Sequence, residues 1–109
     1  MEECIFTIIS FSGDAKSSAM EAIFHAKKGD FQKADQCLVE ASKKLELAHN
    51  EQTKLIQTEA SGNKVDVTLL LVHAQDHLMN SIIVKDLAME FVDLYKKTLR
   101  VCEKNILAY

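Results

Sequence analysis

Apolar residues recur at steps of three and four along most of the chain, which is the spacing of one face of an α-helix. Between residues 2 and 28 this face contains Ile5, Ile8, Ile9, Ala15, Ala19, Ala22, Ile23 and Ala26. Ser12-Gly13-Asp14 interrupts the pattern, either as a bend or as a glycine that the helix tolerates at a cost of ~1 kcal/mol relative to alanine. Lys27-Lys28-Gly29 then has the cations and the glycine of a helix end.

A second helix is predicted over about 30–61 and a third over 66–97 or beyond. Asp30 is suited to cap the second helix. Its apolar face follows as Phe31, Ala34, Leu38, Ala41, Leu45, Ala48, Gln52, Leu55 and Glu59. Ser61-Gly62-Asn63 ends this helix, and Asp66 is placed to cap the third. Short connections between long helices predict an all-α, three-helix antiparallel bundle that runs up, down and up.

The third helix carries two apolar stripes. The first stripe contains Leu71, Ala74, Leu78, Ile82, Met89 and Val92. The second stripe contains Val72, Met79, Ile83, Leu87, Phe91 and Leu94. Because the stripes lie roughly 100° apart, they indicate burial on two sides of the helix, inside the protomer and against other chains. The pattern leaves open the alternative of a single wide core face.

Composition and charge narrow the class of protein. The chain has 109 residues, 48% of them apolar, and no proline, as expected of one helical domain over 1–109. A net charge of −3 without a basic cluster argues against nucleic acid as a partner. The longest apolar run, 65–72, is far shorter than the ~20 residues that span a bilayer, and the start of the sequence does not look like a secretion signal. We therefore expect a soluble cytoplasmic protein without direct membrane insertion.

The densest group of candidate functional residues is Val72-His73-Ala74-Gln75-Asp76-His77-Leu78-Met79. On a helix, His77 lies one turn beyond His73 and about 40° round, and Asp76 lies about 60° to the other side. Leu69 and Val84 bracket the histidine line, which predicts a partly apolar cleft around His73. A neutral imidazole is a competent nucleophile toward phosphorus, and His77 could supply a neighbouring donor.

Two other interpretations of this pair are possible. The histidines could be core-edge residues whose nitrogens bond to backbone or carboxylate groups. Histidines at i and i+4 can also share a zinc ion, but the zinc-protease pattern needs glutamate directly after the first histidine, where Ala74 stands. A hydrolase is therefore disfavoured.

Asp76 falls inside the second stripe, where an unpaired carboxylate would be costly to bury. If that stripe lines a symmetry axis, copies of Asp76 converge there, and protonation or a hard divalent cation such as Mg²⁺ would relieve their repulsion. A salt bridge to a lysine of another helix is the alternative.

The remaining reactive side chains have simpler interpretations. Cys4, Cys37 and Cys102 are interpreted as free thiols, and only Cys4 lies near a helix start, where a thiol can become more nucleophilic. His25 lies at a helix end and His49 in a polar run, so both are interpreted as structural or solvated.

Several segments together resemble one known family. They are Ala26 to Ala34, Gln52 to Leu55, Glu59 to Gly62, His73 to Met79, Lys85 to Ala88 and Leu94 to Lys97. The chain resembles the lactose/cellobiose-specific IIA components of the bacterial phosphotransferase system over almost its whole length. The tail 98–109 adds nothing to the resemblance.

The resemblance implies a homotrimer of three-helix protomers that carries phosphate. His73 would accept phosphate from the histidine-containing phosphocarrier protein and pass it to a cysteine of the cognate IIB component during import of a β-linked disaccharide of the cellobiose, lactose or chitobiose type. Asp76 would bind a divalent cation, expected to be Mg²⁺, at the trimer axis. His77 would support His73. Gln75, about 160° away on the same helix, could help only across a subunit boundary.

A helical adaptor that binds partner helices through the second stripe, without any chemistry, is the competing hypothesis. The two differ in one respect, since an adaptor would gain no acid-labile phosphate.

Overall fold

Three helices account for nearly all of the chain. The computed structural model describes the backbone of residues 1–107 and the side chains of residues 1–100 and 102. The helices are α1 (Glu2–Lys27), α2 (Phe31–Ala60) and α3 (Leu69–Leu107). Residues 1–107 contain no strand. The all-α, three-helix prediction is therefore confirmed, and α3 continues well beyond 97.

The helices run up, down and up. Only Lys28–Asp30 joins α1 to α2, so these helices are antiparallel. The ammonium of Lys96, late in α3, lies 2.9 Å from the carboxylate of Asp35 at the beginning of α2, which makes α2 and α3 antiparallel as well. α1 packs extensively against both other helices, whereas α2 and α3 contact each other less.

The turn between α1 and α2 follows the predicted end and cap signals. Gly29 has φ of 81°, a left-handed conformation that favours glycine. This conformation lets the Asp30 amide reach back to the His25 carbonyl at 3.0 Å and so close the end of α1. The Asp30 side chain accepts a hydrogen bond from the Lys33 amide at 3.2 Å, as an N-cap should.

The predicted cap of α3 at Asp66 is wrong. Thr68 caps the helix instead, because its hydroxyl accepts a hydrogen bond from the Leu71 amide at 3.1 Å. Val65, three residues after Gly62, is buried in the core. The chain must therefore contact the bundle at Val65 before it turns into the helix. That anchoring moves the helix start to Leu69 and leaves Asp66 exposed in the connection.

α1 continues without a bend through Ser12-Gly13-Asp14, where the sequence allowed either a bend or a tolerated glycine. Gly13 is a tolerated helical glycine, and the space where its Cβ would lie is open. Beside it, Ser12 is fully buried and its carbonyl accepts a hydrogen bond from the Ser81 hydroxyl at 2.8 Å. Neither serine was predicted as a core residue, although both lie on apolar helical faces.

The core consists mainly of alanine. Of sixteen buried apolar residues in the described part, nine are Ala15, Ala19, Ala22, Ala26, Ala34, Ala41, Ala48, Ala74 and Ala88. Alanines from all three helices, Ala19, Ala41 and Ala88, meet in one cluster. Such small side chains allow close approach of the helix backbones and leave little room for large residues between them.

The two stripes of α3 differ in burial. Within the first stripe, Leu71, Ala74, Leu78 and Val92 are buried and Ile82 is partly buried. Met89 was wrongly assigned to it, since Met89 is 48% exposed and its neighbour Ala88 faces the core. All six residues of the second stripe are 44–57% exposed. A single wide core face is therefore excluded for the protomer.

Replacing Ala41 by leucine should destabilise the protein by about 1–3 kcal/mol, because the close-packed alanine cluster has no room for three more carbons. The matched control is Ser42→Leu, which adds leucine at the next, exposed position and should change stability by less than about 0.5 kcal/mol. Urea unfolding at equal protein concentration measures both. A cost for Ala41→Leu as small as that of the control would contradict the close packing.

Candidate functional site

His73 and His77 lie one turn apart on α3, as predicted. Their ring centroids are 4.5 Å apart and the ring planes meet at 87°, an edge-to-face arrangement. His73 is exposed and His77 is partly buried. The contact restricts the rotation of the His73 ring while leaving one side of it open to solvent.

The surroundings of His73 differ from the predicted cleft. In the protomer a shallow hollow beside His73 is lined by Leu69 and Leu70, and Leu69 is 85% exposed. Val84, expected to bracket the other side, lines a separate groove with Tyr95 and others. The cleft is missing because His73 lies on the outward side of α3, whereas its neighbours Leu71 and Ala74 face the core, so the ring is left exposed in the protomer.

Asp76 projects from the second stripe into solvent. No ion pair between described side chains includes Asp76, so the alternative of a salt bridge to lysine is not realised within the protomer. Exposed Val72 and Met79 are its neighbours on the same face. Among the described side chains, those of residues 1–100 and 102, no group of three or more histidine, cysteine, aspartate or glutamate residues could hold a metal ion. A single protomer thus offers one carboxylate at this position.

Gln75 lies on the other side of α3 from His73 and makes a contact that was not predicted from the sequence. The Nε2 of Gln52 on α2 donates a hydrogen bond to the Oε1 of Gln75 at 2.6 Å. Gln52 is only 9% exposed, whereas Gln75 is partly buried and borders a groove of about 300 Å³ with Val65 and Leu71. The sequence did carry one signal for this contact, since Gln52 is an amide side chain at a core position of the predicted α2 face.

The other reactive side chains have ordinary surroundings. Burial, followed by the hydrogen bond to Glu51, raises the pKa of the Cys4 thiol, so a helix start does not activate this cysteine. The Sγ of Cys4 lies 3.4 Å from the Glu51 carbonyl oxygen. His25 packs against Phe24 with ring centroids 5.6 Å apart, and His49 is exposed.

Comparison with known proteins identifies the family of the chain. Residues 3–96 match the family model described as the lactose/cellobiose-specific IIA subunit of the phosphotransferase system. The chain belongs to this family. It is a IIA component of a sugar phosphotransferase system, and the resemblance noted from the sequence motifs is confirmed. The match ends at residue 96, whereas α3 of this IIA chain continues to Leu107.

Individual relatives agree in sequence and in fold. The lichenan-specific phosphotransferase enzyme IIA component of Bacillus subtilis is 55% identical over 97 residues, which cover 89% of this chain and 88% of the relative. The crystal structure of the cellobiose-specific enzyme IIA from Bacillus anthracis is 52% identical, with a TM-score of 0.89 over 91% of each chain.

A third relative was solved together with a partner. It is the chitobiose IIA of Escherichia coli in its complex with HPr, 41% identical, with a TM-score of 0.78 over 89% of this chain and 94% of that one. No helix in the described part of this IIA chain is both long and apolar enough to cross a bilayer.

Cys4 should react more slowly with iodoacetamide than the exposed Cys102, because only the thiolate reacts and the raised pKa of the Cys4 thiol keeps it protonated at neutral pH. Its reaction should accelerate only as the pH rises toward that raised pKa. Peptide mass spectrometry after timed alkylation at several pH values measures both sites in one sample. Faster labelling of Cys4 than of Cys102 at neutral pH would contradict this prediction and would show that Cys4 is a reactive thiol.

Proposed function

We propose that this IIA chain accepts a phosphoryl group on His73 from HPr, the histidine-containing phosphocarrier protein, and passes it to a cysteine of a cognate IIB component. The observation that carries the proposal is the exposed His73 ring held edge-to-face by His77 on α3. Family membership supplies the context, since IIA components are phosphotransfer proteins. The sugar imported is a β-linked disaccharide of the cellobiose, lactose or chitobiose type.

Both transfer steps balance without any other reactant. In the first, the lone pair of one His73 ring nitrogen attacks phosphorus, the donor's N–P bond breaks, and its electron pair returns to the donor ring. His73 releases the proton of its second nitrogen, and the donor ring takes up one proton. In the second, a cysteine thiolate of IIB attacks the same phosphorus, and the electron pair of the N–P bond returns to His73, which regains a proton.

Phosphoryl transfer depends mainly on positioning and on stabilising charge on the phosphoryl oxygens. His77 is suited to both tasks. Its ring limits the rotation of His73, and an N–H group of His77 could donate a charge-assisted hydrogen bond to the phosphoryl group once it is attached.

Exposed apolar side chains next to His73 favour a protein partner over a small molecule. Leu69 and Val67 are 85% and 74% exposed within two turns of His73. Their exposure supports docking of HPr and then of IIB over this surface, and the chitobiose IIA relative was solved in a complex with HPr.

We propose further that the protein is a homotrimer in which the second stripe lines the threefold axis. Half-exposed residues along that stripe support burial against other copies. Asp76 interrupts the stripe, so three carboxylates would meet at the axis and repel one another. Three carboxylate groups suit a hard divalent cation such as Mg²⁺, which one protomer alone could not hold.

His73→Ala should abolish phosphate acceptance, because the nucleophile is removed, while helix content stays unchanged since the side chain is exposed. His49→Ala, which removes an exposed histidine of α2, is the matched control and should accept phosphate normally. The assay is incubation with phosphoenolpyruvate, enzyme I and HPr, followed by intact-mass measurement. His77→Ala should slow phosphorylation without abolishing it. An unphosphorylated wild-type protein would favour the adaptor hypothesis, and a phosphorylated His73→Ala would move the acceptor elsewhere.

Asp76→Leu should form trimers without a divalent cation, because it removes the repulsion and adds an apolar contact. Wild-type trimers should weaken when a chelator is added at neutral pH. Sedimentation equilibrium and thermal melting with and without chelator test both expectations. The variant should still accept phosphate at His73. Equal chelator sensitivity of wild type and variant would show that Asp76 is not the ligand, and a wild-type monomer at micromolar concentration would contradict the trimer.

A further inference from the structure

The hydrogen bond between Gln52 and Gln75 is the one contact between amide side chains of different helices in the described part of the bundle. Gln52 occupies a core position of α2, in line with Leu45 and Ala48, where an apolar residue would be the ordinary choice. Burying an amide costs free energy unless its polar atoms are bonded. The bond to Gln75 offsets that cost for the Nε2 group of Gln52.

The direction of this bond determines which end of the Gln75 amide faces outward. Gln52 donates through Nε2, and Gln75 accepts through Oε1 at 2.6 Å. Because the oxygen of Gln75 is engaged, its NH₂ group lies on the other branch of the planar amide, with two N–H donors. Gln75 thereby presents donors rather than an acceptor to anything that approaches the α3 surface.

The proposed threefold arrangement brings a particular group to that position. Around α3, His73 lies about 60° to one side of Asp76 and Gln75 about 100° to the other. If Asp76 faces the axis, the interfaces are head-to-tail, so one flank of each α3 meets the opposite flank of the next copy. Gln75 then faces His73 of the neighbouring protomer, with an offset of two residues, or about 3 Å, along the helix.

We propose that Gln52 is a positioning residue for phosphoryl transfer. By holding the oxygen of Gln75, it directs the N–H donors of Gln75 toward the phosphoryl oxygens on the neighbouring protomer's His73. Gln52 touches neither the phosphoryl group nor His73, and its whole effect passes through Gln75. The inference rests on the proposed phosphocarrier function and on the trimer.

Gln52→Glu is the sharpest variant because it keeps the shape of the side chain but can only accept hydrogen bonds when ionised. Gln75 must then turn its NH₂ group toward residue 52 and its oxygen toward the phosphoryl group. The rate at saturating phospho-HPr should fall about tenfold or more, as expected for loss of a hydrogen bond to a charged group, with KM unchanged. Gln52→Met, which leaves the Gln75 amide free to rotate, should give a smaller loss.

Gln57→Glu is the matched control, since it makes the same substitution at an exposed position of α2. Its rate should stay within about twofold of wild type, which would show that an added negative charge on α2 does not slow docking of HPr by itself. Circular dichroism and sedimentation establish that each variant keeps its helices and its trimer. If Gln52→Glu does not fold, Gln52→Met carries the test.

A double-mutant cycle separates positioning from a merely structural effect. In a Gln75→Leu background, Gln52→Glu should cause no further loss of rate, because the group on which it acts is gone. The ³¹P chemical shift of the phosphohistidine should change alike in Gln75→Leu and in Gln52→Glu.

The outcomes distinguish the inference from the proposed function. If wild type is not phosphorylated, the proposed function fails. If wild type is phosphorylated but both folded Gln52 variants keep its rate, or if Gln52→Glu loses as much rate in the Gln75→Leu background as in wild type, only the positioning role of Gln52 is overturned.

Discussion

The alanine-rich inner face of the bundle is the constraint on which the rest of the structure depends. Helices that meet through Ala19, Ala41 and Ala88 lie too close to enclose leucine, phenylalanine or methionine side chains in quantity. Large apolar residues are therefore displaced to the outside of α3, where the second stripe stays about half exposed. Burying the rest of its six side chains would contribute roughly 5–9 kcal/mol per protomer, which would offset part of the cost of association in the proposed trimer.

The position of the candidate site follows from the same constraint. Leu71 and Ala74 face the core, whereas His73, between them along α3, lies on the outward side of the helix, and so its ring is exposed in the protomer. Exposure suits the proposed role, in which His73 meets HPr and a IIB component in turn. It also means that a protomer alone would supply few neighbours to a phosphoryl group on His73, so that in the proposed trimer a second copy would be the source of further donors.

Features of the fold and the site that depend on neighbouring residues could be predicted from the sequence, whereas those that depend on contacts between helices could not. Local signals sufficed for the three helices, for the cap at Asp30 and for the placement of His73 beside His77, because each rests on helical spacing or on a few adjacent residues. The cap at Asp66 failed since burial of Val65, a tertiary contact, delays the helix.

Features decided by packing between helices could not be predicted from spacing alone. Met89 and Ala88 are adjacent, and only the closeness of α1 and α2 makes the smaller residue the buried one. The expected cleft at His73 was absent for a related reason, because spacing along α3 says nothing about what other elements cover it. Gln52 fell on the predicted α2 face, but its partner lies on another helix and could not be inferred from periodicity.

Helix faces made of alanine fix the axial register of packed helices only weakly, because a shift by one turn replaces one small residue at the contact by another. Polar contacts that fit in one register remove this ambiguity. The Ser81 hydroxyl ties α3 to α1 at the middle of the bundle, and Gln52 ties α2 to α3 close to the site. A slip of α3 by one turn, about 5.4 Å, would separate Gln75 from Gln52 and carry His73 along by the same distance. The contact that keeps α3 in register is thus also the contact that orients Gln75, so the same amide pair serves the fold and the proposed chemistry.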